Sequence, residues 1–254
     1  MRKLLVLLCT VIMMLCGCYY EDEVIQNELE DEDATVLTES QYDENQTTVS
    51  DEIAVLGEEF SLLVTYDTGD LSLNDWRVTS NKRISMEVKT KNLPEGYQAY
   101  IEHVHADIML KATAPRLDGI CHDSMDDSDH RMPTNGFPIS NNTSYHNIFS
   151  IEGYNSEFYE IWGYTMNGMG YTESAYSRLT EKNIREFGCY AEKLAVVYDI
   201  VIVKPDGTEY VCSVYSDVLI PLVGELNVVT FNAFTGEPDE PLSRQSAEET
   251  TAQE

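Results

Sequence analysis

Basic residues are scarce in this chain of 254 residues. Lys and Arg number 16 against 45 Asp and Glu, which gives a formal net charge of -29 at pH 7. Nucleic-acid-binding proteins neutralise phosphates with Lys and Arg, and anionic lipid surfaces attract the same residues. The composition therefore argues against nucleic acid as a partner and against electrostatic docking on anionic lipid.

A long hydrophobic run is also missing. The most apolar stretch extends from Leu4 to Leu15, whereas a membrane-spanning helix needs about 20 apolar residues. Arg2 and Lys3 precede it, and a positively charged start before a short apolar segment is the layout of a secretory signal. We therefore expect export rather than a transmembrane span.

The apolar run ends at Leu15-Cys16-Gly17-Cys18, and acidic residues follow soon after. This stretch resembles the lipobox of bacterial lipoproteins, in which a small residue precedes the cysteine that is acylated and becomes the new N-terminus. The resemblance implies a diacylglyceryl lipid, of the palmitate kind, on Cys18. Two acyl chains make such an anchor stable, since one chain binds a membrane only reversibly. The alternatives are an ordinary cleaved signal or an uncleaved anchor, with Cys18 incidental.

Composition divides the chain into four parts, of which residues 1–17 are the signal peptide. Residues 18–57 are acidic and have no hydrophobic periodicity. Such a segment cannot bury enough apolar surface to fold, so we expect a disordered tether. Residues 230–254 have the same character and are predicted to be a disordered tail. One folded domain remains, residues 58–229.

The apolar residues of this domain recur mostly with a period of two, as in half-buried strands. Apolar and polar residues alternate in "NKRISMEVKT" and in "YQAYIEHVHADIML". A hairpin is predicted around Pro205-Asp206-Gly207, because Pro presets φ and Gly permits positive φ between two β-branched runs. Several strands without a βαβ pattern indicate a mainly β fold, specifically an antiparallel immunoglobulin-like β-sandwich.

One short helix is predicted in "RLTEKNIREFGCY". Thr180 is a suitable N-cap, and Gly188 can end the helix. Leu179 and Ile184 supply its apolar contacts.

Few cysteines remain in the predicted mature domain, namely Cys121, Cys189 and Cys212. An extracytoplasmic location permits disulfides, but an odd number leaves at least one thiol unpaired. The sequence leaves open whether two of them pair or whether they are small buried hydrophobic residues.

Several enzyme motifs are missing as well. The chain has no G-x-S-x-G, S-x-x-K, G-x-x-x-x-G-K-[ST] or H-E-x-x-H pattern. A Cys-His dyad needs only spatial proximity, so it stays open. The sequence therefore favours a protein that binds over one that catalyses.

The most specific pattern that is present is His103-Val104-His105-Ala106-Asp107. Alternate residues of a strand face the same way, so His103, His105 and Asp107 are expected to line one face. Two imidazoles and a carboxylate are suitable ligands for zinc or copper. The alternative is a polar sheet face, ending at Ile101 and Met109, whose histidines form local hydrogen bonds.

A second candidate is the acidic segment "CHDSMDDSDHRMPTNG", which contains Asp123, Asp126, Asp127 and Asp129. Close carboxylates repel one another unless a cation neutralises them, which favours calcium. The residue order differs from the D-x-[DN]-x-[DN]-G pattern of calcium loops. A solvated acidic loop is therefore the alternative.

A third candidate is the aromatic segment "IEGYNSEFYEIWGYTMNGMGYTESAY". Exposed Tyr and Trp combine apolar area with a polar tip, which suits protein or sugar ligands. Phe158, Trp162 and Tyr164 are predicted to be core residues. Tyr171 and Tyr176, in and after a Gly-rich loop, are the predicted binding residues.

These features predict a lipid-anchored extracytoplasmic lipoprotein that binds a protein or glycan ligand at the cell surface. The alternative is a metal-binding extracytoplasmic protein, for zinc or copper at His103, His105 and Asp107 or for calcium at the acidic segment. Stretches such as "ISMEVKTKNLPEGY", "HVHADIML" and "DSMDDS" are similar to uncharacterised lipoproteins of low-GC Gram-positive bacteria. That resemblance brings no activity with it.

Overall fold

Strands make up most of the regular structure in the computed structural model, which describes residues 36–38, 42–127, 136–172, 175–222 and 224–226. All of these residues belong to one compact unit, Thr35–Glu254. The strands within them are β1 Val36–Thr38, β2 Thr48–Ala54, β3 Ser61–Asp67, β4 Lys82–Lys91, β5 Gln98–Ala112, β6 Cys121–Asp127, β7 Phe137–Ile139, β8 Tyr145–Ile151, β9 Cys189–Val203, β10 Glu209–Pro221 and β11 Gly224–Leu226.

The strands form two main antiparallel sheets. The four-stranded sheet has the order β2-β3-β4-β8, and the five-stranded sheet has the order β10-β9-β5-β6 with β7 also paired to β5. A separate pair consists of β1 and β11. Both main sheets contribute buried apolar residues to one core. The predicted antiparallel β-sandwich is therefore confirmed, while the immunoglobulin-like subclass stays a prediction.

Alternation along the strands builds this core. In β4, Ile84, Met86 and Val88 are buried, whereas the residues between them are exposed or half-buried. Burying each such side chain stabilises the fold by about 1.5 to 3 kcal/mol. The hydroxyls of Tyr66 on β3 and Tyr198 on β9 are 3.0 Å apart, so a buried hydrogen bond also connects the two sheets.

The hairpin predicted at Pro205-Asp206-Gly207 is confirmed. Strands β9 and β10 pair antiparallel on either side of it. Gly207 has a φ of 85°, which glycine adopts without the steric penalty of a Cβ atom. The register that follows from this turn places Asp199 opposite Ser213.

Strand β5 contains a β-bulge between Ile101 and His103. Their partners are consecutive residues of β9, so Glu102 is the extra residue. An extra residue shifts the alternation by one position. Ile101 and Val104 are therefore both fully buried, although strict alternation would place Ile101 on the face of His103.

Of the two α-helices in the described residues, α2 (Glu181–Glu186) is the one that the sequence predicts. The Thr180 hydroxyl accepts a hydrogen bond from the backbone N–H of Asn183, as an N-cap does. Gly188 follows the helix with a φ of 81°.

Helix α1 (Ser156–Gly168) is not predicted by the sequence analysis. Asn155 caps it by accepting hydrogen bonds from the first-turn N–H groups. Its buried residues, Phe158, Trp162 and Met166, are spaced by four and so form one helical face. Aromatic residues have a local preference for strands. Here the spacing by four and the Asn155 N-cap favour a helix instead.

A buried ion cluster connects the two sheets, with Lys82 on β4 and Glu192 on β9. Glu192 Oε2 accepts a hydrogen bond from Trp76 Nε1 at 2.6 Å and lies 3.6 Å from Lys82 Nζ. Glu192 Oε1 lies 2.5 Å from His122 Nδ1. All four side chains are buried, and buried charges need partners of this kind to be tolerated.

Strands β1 and β2 both lie inside the stretch predicted to be a disordered tether, so that prediction is wrong there. Strand β2 pairs with β3 from Thr48 to Ala54, so the four-stranded sheet begins before residue 58. Only Val49 and Ile53 of β2 pack against the core, which is too little apolar pattern to mark a strand. Residues 18–35 and 39–41 of the predicted tether, the signal peptide and the predicted tail lie outside the described residues. No helix in the described part of the chain is long and apolar enough to cross a membrane.

Candidate functional site

A row of ionisable side chains crosses the outer face of the five-stranded sheet. We call it the His-Asp row, and its members are Asp199 on β9, His103, His105 and Asp107 on β5, and Asp126 on β6. Between the β5 members, Val104 and Ala106 are fully buried. The alternation of β5 therefore directs both histidines away from the core, as the sequence predicts.

His103 contacts two carboxylates on adjacent strands. Its Nδ1 lies 2.9 Å from Asp199 Oδ2, and its Nε2 lies 3.1 Å from Asp126 Oδ2. Asp199 in turn accepts a hydrogen bond of 2.5 Å from the Ser213 hydroxyl on β10. The imidazole of His103 is thus held at both ring nitrogens.

His105 is held in the same way. Its Nδ1 lies 3.4 Å from Asp126 Oδ2, and its Nε2 lies 3.2 Å from Asp107 Oδ2. The ring centroids of His103 and His105 are 6.5 Å apart. One oxygen atom of Asp126 is therefore the contact that the two imidazoles share.

These contacts shift the pKa values at one end of the row. The hydrogen bond with Asp199 raises the pKa of His103; partial burial opposes this, and Asp126 adds to it. The hydrogen bond from Ser213, together with His103, holds the pKa of Asp199 below its ordinary value. Both shifts favour the charged forms, an imidazolium at His103 and a carboxylate at Asp199.

The structure brings His103, His105 and Asp107 onto one face but changes the expected role of Asp107. It contacts the far nitrogen of His105, while Asp126 from the neighbouring strand lies between the two histidines. Among the described residues, no group of three or more His, Cys, Asp or Glu side chains is arranged to hold a metal ion.

The acidic segment is a strand rather than the predicted loop as far as Asp127, and its carboxylates separate. The pairing of β6 with β5 puts Asp126 opposite the histidines, and Asp123 and Asp127 on the other face. Asp123 accepts a hydrogen bond of 2.9 Å from the backbone N–H of Glu152, the residue after β8. Asp127 accepts one of 2.7 Å from the side chain of Asn147. The described carboxylates therefore do not converge on a calcium site. Asp129 lies outside the described residues.

The aromatic prediction is wrong at two positions. Tyr171, predicted to be an exposed binding residue, is buried with its ring edge-on to Phe187 at 5.0 Å. Tyr164, predicted to be core, is 75% exposed. Helical periodicity explains the second difference, because Trp162 and Tyr164 point in very different directions on a helix. The side chain of Tyr176 lies outside the described set.

Exposed apolar side chains lie beside the His-Asp row on β10. Val211, Tyr215 and Leu219 are 56%, 68% and 40% exposed. They share one face of the strand with Ser213, which contacts Asp199. We call these three residues the β10 apolar row.

The three cysteines of the described residues are free thiols. Burial raises the pKa of Cys189 and of Cys212. Partial burial, together with Asp107, raises the pKa of Cys121 to about 11. A thiol with a raised pKa is protonated at neutral pH and is a weak nucleophile.

No protein-family model matches the chain, and no curated protein matches it. Among solved structures, the chain is similar to one titled pT26-6p, with 6% identity and a TM-score of 0.39, over 67% of this chain and 34% of that chain. It is also similar to a protein from Archaeoglobus fulgidus, with 12% identity and a TM-score of 0.25, over 68% of this chain and 95% of that chain. Neither similarity bears on the function of this chain.

Proposed function

We propose that this protein is a lipid-anchored extracytoplasmic lipoprotein that binds a protein or glycan ligand at the cell surface. The observation that supports the binding surface is the β10 apolar row, with exposed Val211, Tyr215 and Leu219. Exposed apolar and tyrosine side chains that border polar groups are typical of interaction surfaces. The adjacent His-Asp row supplies the polar groups.

The position of β10 favours a protein ligand over a glycan. Among the described residues, this strand pairs with β9 alone and is the edge strand of the five-stranded sheet, where it runs for 13 residues. An outer strand presents backbone N–H and C=O groups to which an extended segment of another protein can add. Tyr42 already uses one such group, because its hydroxyl donates to the carbonyl of Leu219 at 2.7 Å. Side chains of the β10 apolar row would then contact alternate residues of the ligand.

The anchor rests on the N-terminal sequence. A diacylglyceryl group on Cys18 would hold the protein to the membrane, and the acidic residues that follow would space the folded part from the lipid surface. The net charge of -29 opposes nucleic acid as a further partner.

Binding rather than catalysis is supported by the state of the thiols. Cys121 is the exposed thiol beside the His-Asp row, and its pKa of about 11 keeps it protonated at neutral pH. A thiolate nucleophile needs a lowered pKa instead. The raised pKa therefore argues against Cys121 as the nucleophile of a Cys-His dyad.

The test compares two surface variants of the full-length protein in the cells that produce it. We expect Tyr215→Ser combined with Leu219→Ser to lower the yield of a cross-linked surface partner at least tenfold. The matched control is Tyr159→Ser combined with Tyr164→Ser on α1, which changes exposed tyrosines elsewhere. Undiminished cross-linking in the β10 variant, or an equal loss in the control, contradicts the proposal. A glycan array probed with the same proteins detects the sugar alternative.

A further inference from the structure

We propose that the ligand of the β10 apolar row is a second copy of this chain, paired antiparallel to the first along β10. This inference rests on the proposed function, because it names the partner of the same surface. A twofold axis at Tyr215 would relate the two copies and join their five-stranded sheets into one. Such an interface uses the same residues on both copies, as in most homodimers.

The backbone of β10 bonds to β9 at every second residue. Just before the strand, the N–H of Lys204 donates to the carbonyl of Thr208 at 2.8 Å; just after it, the N–H of Leu222 donates to the carbonyl of Tyr190 at 2.8 Å. The register between these points has no shift. The even-numbered residues of β10 therefore bond to β9, and the odd-numbered residues turn their N–H and C=O groups toward the edge.

The odd-numbered residues also carry the exposed side chains. The β10 apolar row consists of such residues, and Ser213 and Asp217 between its members are exposed as well. Among the described residues, no strand other than β9 pairs with β10. A further strand along this edge would therefore use the outward backbone groups and border the apolar side chains at the same time.

The order of these side chains is close to symmetric about Tyr215. With the twofold axis there, Val211 lies opposite Leu219 of the second copy, and the two Tyr215 side chains lie opposite each other. Asp217 lies opposite the neutral Ser213. Apolar side chains thus meet apolar ones, and no two acidic side chains are directly opposite, which is the pattern that stabilises neighbouring strands.

Other registers with the same backbone pairing bring unfavourable side chains together. Moving the axis to Asp217 places two Asp217 carboxylates opposite each other, and moving it to Ser213 places Asp217 opposite Glu209. Moving it by a single residue places Asp217 opposite Val211 or Tyr215. Like charges that lie directly opposite each other destabilise a sheet, so the axis at Tyr215 is the favoured one.

The interface is expected to be weak in solution. A standard protein–protein interface buries about 1,600 Å², and we expect a single pair of edge strands to bury less. The net charge of -29 on each copy also opposes association. A dissociation constant on the order of 10 to 100 μM is therefore expected. The lipid anchor of the proposed function would confine the copies to one membrane and raise their effective concentration.

The experiment places single cysteines on β10 of the full-length protein in the cells that produce it. The parent is Cys121→Ser/Cys212→Ser, which lacks the two thiols that are not buried. Tyr215→Cys should form a disulfide-linked homodimer under mild oxidation, because directly opposite residues of a hydrogen-bonded pair have Cα atoms about 5.5 Å apart. The matched control is Ser213→Cys, which faces Asp217 rather than its own copy and should give at least a tenfold lower yield.

A mixed experiment tests the register with Tyr215 left in place. In cells that produce both Val211→Cys and Leu219→Cys in the same parent, the two proteins should cross-link to each other at least tenfold more than either does to itself. Mass spectrometry of the linked peptides identifies the pair. A parallel arrangement would instead favour the links between identical positions.

Sedimentation equilibrium of the purified full-length protein in detergent measures the affinity. Because the two copies repel each other, the dissociation constant should fall about two- to tenfold between low and high salt; a basic ligand would bind less tightly instead. Tyr215→Lys should raise the constant at least tenfold. The control Tyr159→Lys, on α1, should leave it unchanged, and circular dichroism should show that both variants are folded.

The outcomes separate this inference from the proposed function. If the partner cross-linked through β10 is a different protein, the second copy is excluded and the proposed function stands. If Tyr215→Ser/Leu219→Ser leaves all cross-linking of the protein undiminished, the proposed function fails. Equal homodimer yields from Tyr215→Cys and Ser213→Cys, or a wild-type protein that is monomeric at millimolar concentration, overturn the inference.

Discussion

His122 Nδ1 and Glu192 Oε1 lie 2.5 Å apart in the interior of the sandwich, where neither side chain is exposed to solvent. The other ring nitrogen of His122 faces the carbonyl of Glu152 at 2.9 Å, and a carbonyl can only accept. A proton must therefore lie between Nδ1 and the carboxylate. Lys82 adds a positive charge 3.6 Å from the second oxygen of Glu192.

This cluster should contribute strongly to stability. We expect Glu192→Gln to lower the free energy of unfolding by about 3 to 5 kcal/mol, because it leaves the buried ammonium of Lys82 without its counter-ion. Urea unfolding followed by tryptophan fluorescence measures this loss. The matched control is Glu52→Gln, which breaks an exposed pair with Lys91 and should leave the unfolding midpoint unchanged. If Glu192→Gln and Glu52→Gln lowered the free energy of unfolding equally, burial of the cluster would make no added contribution to stability.

The same carboxylate predicts a dependence of stability on pH. Burial acts to raise the pKa of Glu192, but Lys82, His122 and Trp76 together hold it below the ordinary value of 4.5 in the folded state. The unfolded chain therefore takes up its proton at a higher pH than the folded chain. This contribution is complete above about pH 4.5 and is lost as the pH falls through the folded-state pKa.

The measurement is the difference in unfolding free energy between the wild-type protein and Glu192→Gln at several pH values. The difference should shrink as the solution is acidified below about pH 4.5. A difference that stays constant or grows in acid means that Glu192 has no lowered pKa in the folded state.

The bulge in β5 predicts opposite results for two single-residue deletions. Deleting Glu102 removes the extra residue and leaves Ile101 and His103 opposite consecutive residues of β9, so the fold should survive. Deleting Ala106 instead reverses which residues face the core on one side of the deletion, and this brings polar residues into the core. Circular dichroism and thermal melting of the two proteins check this. Unfolding of both variants to the same extent contradicts the assigned register.

Much of the sheet could be predicted because alternation and turn chemistry are local properties. Ile84, Met86 and Val88 alternate within one short segment, and Gly207 marks its hairpin directly. Strand β2 could not be recognised in this way, since none of its residues is buried and only Val49 and Ile53 are half-buried. The bulge at Glu102 leaves no local signal either, because it is defined by the pairing of β5 with β9.

The missed features of the site have the same explanation. His103 and His105 could be placed together from one strand, but Asp126 joins them only through the pairing of β6 with β5. Asp199 could have been found from the sequence, because the hairpin around Gly207 places it opposite Ser213. For α1, the spacing by four of Phe158, Trp162 and Met166 was present in the sequence. The local strand preference of aromatic residues obscured it.

The most direct test of the central claim is the mass of the N-terminal peptide of the protein purified from the cells that make it, together with its distribution between membrane and medium. The account predicts a mature chain that begins at Cys18, carries the added mass of a diacylglyceryl group and is found with the membrane. The substitution Cys18→Ser should abolish both the added mass and the membrane association. An unmodified Cys18 thiol on a protein released into the medium would contradict the account.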